Sequence, residues 1–205
     1  MQDKLSNSFG LLLPTSKHQA VKALKSKNST PCIHGNKVWL SSFALMTHLE
    51  HYVFIKKDHV LEIGCGWGPI TCFLNTHKKK VKVTGLDADK HVEPYYRLTQ
   101  KLNHQSPINF VHSSFEKIDH HFLAHFTILA GSDICFWDSM TNTLFELIQK
   151  AVKTKKIKHI LIADPGRQPF WDLVDLCEDK FNAELHTIKL KKPKSSEKYI
   201  LEVTT

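Results

Sequence analysis

From His59 to Leu74 the chain reads HVLEIGCGWGPITCFL. The run HVLEI has the length and apolar content of a short buried strand. PITCFLNTH, residues 69–77, reads as a helix with proline in its first turn. Between the two stand Gly64, Gly66 and Gly68, three of the chain's eight glycines. Glycine loses more conformational entropy on folding than any other residue, so this concentration marks a backbone that needs left-handed dihedrals or close approach to a ligand. Trp67, set among them, is expected to point away from that approach. A glycine-rich turn from a strand into a helix N-terminus is where doubly wound α/β folds meet a bound ligand.

The flanking sequence repeats the alternation. VWLSSFALMTHLEHYVF, residues 38–54, has apolar residues at helical spacing, with a serine cap expected at its start. Beyond the glycine turn, KVTGLD reads as a strand, DKHVEPYYRLTQKLNH as a helix, and INFVHSS and FTILAG as strands. SMTNTLFELIQKAVKTKK is a helix, IKHILIAD a strand and FWDLVDLCEDKF a helix. Two final β runs flank Lys-Pro-Lys-Ser-Ser, a turn too short for a helical crossover, so they must pair antiparallel. The prediction is an α/β fold with a Rossmann-like, doubly wound seven-stranded sheet, mostly parallel with a C-terminal antiparallel strand pair. Residues 1–36 read as a helical or irregular N-terminal extension with a short helix in KHQAVKALK, and residues 37–205 as one domain.

Composition bounds the function. A chain of 205 residues, 41% hydrophobic and 23% charged, suits one ordinary globular core. No apolar run approaches the roughly 20 residues of a membrane span, LLLP at residues 11–14 included, and MQDKLSNSFG lacks the basic start of a signal peptide. The five cysteines, at 32, 65, 72, 135 and 177, have no metal-ligand spacing and read as small buried hydrophobes in a reducing compartment. The expectation is a cytoplasmic protein, monomeric by default, with no membrane partner. Net charge is +8, with lysines clustered at 22–27, 78–82, 153–158 and 189–194. These clusters fall at helix ends and turns, where charge faces water, and no nucleic-acid-binding motif accompanies them, so no stable nucleic-acid complex is expected. A basic face could equally steer an acidic protein partner. His34, His120, His121 and His125 are not spaced as a metal set, and no metal is expected.

Asp87 narrows the ligand. It closes the strand after the glycine turn, where an acid can accept both hydroxyls of a ribose. A P-loop would need Gly-Lys-Ser or Gly-Lys-Thr, whereas this loop ends Gly-Pro. A dinucleotide fingerprint spaces glycines as G-x-G-x-x-G; here they run G-x-G-x-G and residue 69 is proline, which disfavours hydride transfer.

LEIGCGWG followed by VTGLDAD resembles the cofactor-binding region of class I S-adenosylmethionine-dependent methyltransferases, whose seven-stranded sheet ends in the same antiparallel pair. The resemblance implies that residues 37–205 are a methyltransferase domain using S-adenosyl-L-methionine and releasing S-adenosyl-L-homocysteine. It places Gly64, Cys65, Gly66 and Gly68 beside the methionine and ribose, Asp87 on the ribose hydroxyls and Glu62 behind the loop at the methionine end. Ser113 and Ser114 fall near the adenine, and Ser132 joins the cofactor-binding set. VWLSSFALMTHL, GSDICFWDSM and ADPGR are together similar to the seven-β-strand protein-lysine methyltransferases. DPGR looks most like the branch acting on the β subunit of electron transfer flavoprotein and its bacterial relatives.

That family's D-x-x-Y signature maps onto Asp133, Ile134, Cys135 and Phe136; the acid matches and phenylalanine replaces the tyrosine. Its pocket-closing tryptophan maps onto Trp39. By this resemblance Asp133 orients the incoming amine, Phe136 is an apolar wall and Trp137 offers a π face to the substrate cation. Asp164 and Arg167 fix a loop or meet the acceptor. The implied reaction is methyl transfer to a lysine amine of a substrate protein. A small-molecule or RNA acceptor is the alternative, and Phe136 leaves open a non-catalytic scaffold.

Overall fold

The expected alternation is realised in the computed structural model, which describes residues 5–27, 31 and 34–205; Cys32 lies outside them. The elements begin with β1 (Leu5–Ser8), β2 (Leu11–Pro14), α1 (Gln19–Ser26) and α2 (Leu40–His51). The central alternation is β3 (His59–Ile63), α3 (Pro69–His77), β4 (Lys82–Asp87), α4 (Glu93–Leu102), β5 (Asn109–His112), α5 (His120–Leu123) and β6 (Ile128–Ser132). The chain continues through α6 (Asp138–Lys153), β7 (His159–Asp164) and α7 (Gln168–Glu178) to β8 (Asn182–Leu190) and β9 (Ser196–Thr204).

Seven strands form one sheet in the order β5-β4-β3-β6-β7-β9-β8. The first five pair in parallel, and β9 runs antiparallel between β7 and β8. Because helices cover both faces, the inner strands are apolar on alternate sides. Leu61, Leu129 and Ile160 pack with Leu144 and Ile148 of α6 and with Leu173 of α7. Val60, Ala130 and Leu161 pack with Phe43 of α2 and Phe73 of α3. The winding reverses on either side of β3, so a crevice opens at the C-terminal ends of β3, β4 and β6, where such sheets hold ligands.

Three local features depart from the sequence reading. The N-terminal segment holds an antiparallel hairpin of β1 and β2 besides its helix. Its two-residue turn, Phe9-Gly10, has φ of 55° and 67°, the positive pair of a type I′ turn usually made by Asn-Gly. The Phe9 ring packs on Phe43 and Phe73, at 6.4 and 5.6 Å between centroids, and Leu11 and Leu13 are buried beside α2 and α3. Second, α5 interrupts a stretch whose sequence carries no helical period. Third, α2 has no serine cap: Trp39 precedes it without a side-chain cap bond, and the carboxylate of Asp133, 92 residues away, accepts the Ser41 N–H at 3.0 Å.

Candidate functional site

The three loop glycines share left-handed dihedrals, with φ of 60°, 50° and 66°, but meet different surroundings. A Cβ on Gly64 would lie 2.5 Å from Ile134 Cγ2, and one on Gly68 would strike the Tyr96 ring. A Cβ on Gly66 would meet nothing within 4 Å. Packing therefore requires two of the glycines, and only Gly66 opens onto free space. Gly66→Ala should lower stability by about 1–2 kcal/mol, the cost of a left-handed side chain. Gly68→Ala adds a ring clash and should lose about 2–4 kcal/mol. Urea denaturation of both variants tests this order. Trp67 is 1% exposed, lies flat on Tyr95 with centroids 5.1 Å apart, and donates its Nε1–H to the Gly35 carbonyl at 2.8 Å. It braces the loop from behind while one edge borders the crevice.

The crevice encloses a cavity of about 270 Å³. Gly64, Cys65, Gly66, Asp87, Ser114 and Ser132 are among the residues that line it, as are Trp39, Asp133, Phe136 and Trp137. Glu62, Gly68, Ser113, Asp164 and Arg167 do not line it. Asp87 accepts the Gly66 N–H at 2.8 Å and the Asp89 N–H at 2.9 Å, tying β4 to the glycine loop. Burial pushes its carboxyl up to about 6 despite those donors. Burial likewise raises the Cys65 thiol, which leaves it an inert small side chain.

Glu62 works one layer deeper. Only 1% exposed, it accepts the Thr71 N–H at 2.8 Å and so holds the first turn of α3 behind the loop. Burial pushes its carboxyl up to about 8 from 4.5. The native state then keeps a proton that the unfolded chain releases, so this group erodes stability as pH rises between those values. Glu62→Gln keeps an acceptor without the charge. Its stability relative to the parent should improve by on the order of 1–3 kcal/mol from pH 5 to pH 8, measured by urea denaturation at both.

Asp133 links three elements. It stands just beyond β6 with φ 54°, an uncommon conformation for a residue with a side chain, and its N–H donates to the Ala163 carbonyl. One carboxylate oxygen accepts the Ser41 N–H at the start of α2; the other accepts Arg167 Nη2 at 2.9 Å. Arg167 also pairs with Asp164 at 2.6 Å, and Asp164, fully buried, accepts the Gly166 and Arg167 N–H groups. The guanidinium lies 4.1 Å from the Phe136 ring centroid. DPGR thus forms a buttress behind the cavity wall, and the direct acceptor contact considered for Asp164 and Arg167 has no counterpart in the cavity lining.

The wall itself is aromatic. Phe136 stacks on His34 with centroids 4.1 Å apart and meets Trp39 edge-on at 5.3 Å. Trp39 donates its Nε1–H to the His34 carbonyl, and Lys37 Nζ lies 3.9 Å over its ring. Trp137, 48% exposed, forms the outer lip beside His34. His34 and Lys37 line the cavity although sequence reasoning assigned them no place there. They lie in an irregular segment whose spacing carries no motif, and only the fold brings them to Phe136.

Sheet order, antiparallel terminal pair and cavity position define the class I S-adenosylmethionine-dependent methyltransferase fold. Within it, the methyltransferase small domain is the family whose profile matches, over residues 32–123. A precorrin 8W decarboxylase from Methanobacterium thermoautotrophicum is similar with a TM-score of 0.58 at 11% identity, over 82% of this chain and 91% of that one. A human methyltransferase 10 domain containing protein gives 0.57 at 11% identity, over 78% and 77%. An rRNA methylase from Streptococcus thermophilus gives 0.57 at 12%, over 82% and 98%. No curated protein matches the sequence significantly. Among the described residues no helix is long and apolar enough to cross a membrane.

Proposed function

We propose that this chain is an S-adenosylmethionine-dependent methyltransferase whose acceptor is a lysine side-chain amine of a protein. The observation that carries the proposal is a single cavity running from Gly66 and Asp87 to the wall of Trp39, Phe136 and Trp137. The residues fit the cofactor. Asp87 keeps lone pairs free for ribose hydroxyls beyond its two backbone bonds, and the open space at Gly66 admits a ligand against bare backbone. When bound, S-adenosylmethionine supplies an activated methyl group on a sulfonium.

The chain's own task is to bring a neutral amine to that group. At pH 7 a lysine of pKa about 10.4 must give up roughly 3.4 units, or about 4.6 kcal/mol. Desolvation against the inner apolar wall disfavours ammonium and so reduces this penalty, while Trp137 at the exposed lip offers its π face to the cation only on entry. A lone carboxylate at Asp133 would oppose deprotonation by stabilising ammonium. Its pairing with Arg167 offsets that charge, which suits Asp133 to seating the amine and the wall rather than to acting as a strong base. Phe136 has no hydroxyl and serves as surface alone.

Solved structures of this fold carry names as different as precorrin 8W decarboxylase and rRNA methylase, so the fold alone does not select the acceptor. The aromatic lip, with Trp137 open to a macromolecular side chain, favours the amine. Radiolabelled methyl transfer into a cell extract, with protease and nuclease controls and mass spectrometry of the product, tests the reading. Label on a protease-sensitive species at lysine is the expected result. Label that survives protease and disappears with nuclease would overturn it.

A further inference from the structure

A second constellation lies on the same face of the sheet as α2, toward the start of β7 and away from the methyl-transfer cavity. Glu202 of β9 receives imidazoles from three other elements. His48 Nε2 of α2 and His186 Nε2 of β8 lie 3.5 and 2.9 Å from its Oε2, and His159 Nδ1 of β7 lies 2.9 Å from Oε1. The donor atoms of His48, His186 and Glu202 fall within 4.8 Å of one another. Their side chains are 18%, 25% and 14% exposed, partly screened yet reachable, and His48 and Glu202 border a second cavity of about 420 Å³.

We infer that His48, His186 and Glu202 form a site for one divalent transition cation of the zinc class. The chemistry is that of a two-imidazole, one-carboxylate set with room for water, which suits Zn²⁺ in four coordination. Bonds of about 2.0–2.2 Å require ligand atoms roughly 3.3–3.6 Å apart in a tetrahedron; the His48–Glu202 separation of 3.5 Å already meets this, and the His186–Glu202 separation of 2.9 Å would have to open by about half an ångström. His159 donates to the oxygen that faces away from the two ligand imidazoles, as an outer partner that orients a ligating carboxylate does. The ion would fasten the C-terminal half of α2 to the antiparallel edge of the sheet. The site is independent of the methyl-transfer reading.

The test is a titration of chelator-stripped full chain with Co²⁺, followed by competition with Zn²⁺. One Co²⁺ per chain, with the intense visible bands of four-coordinate cobalt and displacement by Zn²⁺, is expected. His48→Ala, His186→Ala and Glu202→Gln should each weaken binding at least tenfold. His159→Ala should weaken it by about tenfold while keeping the stoichiometry. His120→Ala/His121→Ala, altering an exposed imidazole pair elsewhere, should change nothing. Circular dichroism confirms folding of every variant, and Zn²⁺ should raise the melting temperature of the parent but not of His186→Ala. Absent bands, bands that persist in His48→Ala and His186→Ala, or bands lost in the His120/His121 variant would each overturn the assignment.

Discussion

Asp87→Ala should bind S-adenosylmethionine roughly 10²–10⁴-fold more weakly than the parent in calorimetry. Each hydrogen bond to a charged acceptor contributes about 1.5–3 kcal/mol, and the proposed site gives the carboxylate two ribose hydroxyls. The same change frees the Gly66 N–H, so the loop that should receive the methionine loses one of its ties to β4 and keeps the Cys65 N–H bond to the Leu86 carbonyl. A pH signature accompanies the affinity loss. With its carboxyl at about 6 in the folded protein, Asp87 is an ionised acceptor above that value and a protonated one below it. Binding to the parent should weaken as pH falls below about 6, and Asp87→Asn should lack that dependence. Unchanged affinity in Asp87→Ala would remove the ribose assignment.

The second large effect separates binding from transfer. Asp133→Ala should keep cofactor affinity within a few-fold while slowing single-turnover methyl transfer by about 10²-fold or more, the scale of a misplaced reacting group. The physical cause is positional. Without the carboxylate the Ser41 N–H loses its acceptor at the start of α2, adjoining Trp39, while Arg167 retains Asp164. Stability should fall by about 1–3 kcal/mol from the orphaned buried donor. Asp133→Asn discriminates the roles: it retains an acceptor for Ser41 and loses the charge facing Arg167. Full transfer activity in Asp133→Ala would exclude the residue from the chemistry.

The centre of the sheet was legible because β3, β6 and β7 are short apolar runs bounded by a glycine, a turn or a helical pattern. The antiparallel finish followed from a turn too short for a crossover. Gly66 and Asp87 were legible for a related reason: strand ends project side chains and bare backbone into the crevice wherever this sheet is built. The hairpin before residue 15 was not, since its turn places phenylalanine where asparagine would have signalled the left-handed pair. Nor was the cap of α2, because its acceptor is remote in sequence and meets Ser41 only after β6 has joined the sheet. Glu62, expected behind the loop at the methionine end, accepts the Thr71 N–H and so holds a helix rather than lining the cavity. His48, His186 and Glu202 share no spacing motif, so nothing in the linear order could gather them.

Asn103 gives the hairpin a place in time as well as in space. Its side-chain amide donates to the Leu12 carbonyl at 2.9 Å and accepts the Leu12 N–H at 2.8 Å, imitating a neighbouring strand across 91 residues of chain. At translation rates of about 5–20 residues per second, Leu12 waits roughly 5–18 s for that partner to be made. Although α3, which ends at His77, is already made by then, α4 is complete only as Asn103 arrives, so the β2 strand lacks that part of its surroundings until the end of the interval. The segment therefore seats late, and a nascent chain stalled before α4 should be cut by protease within the hairpin while the finished protein resists.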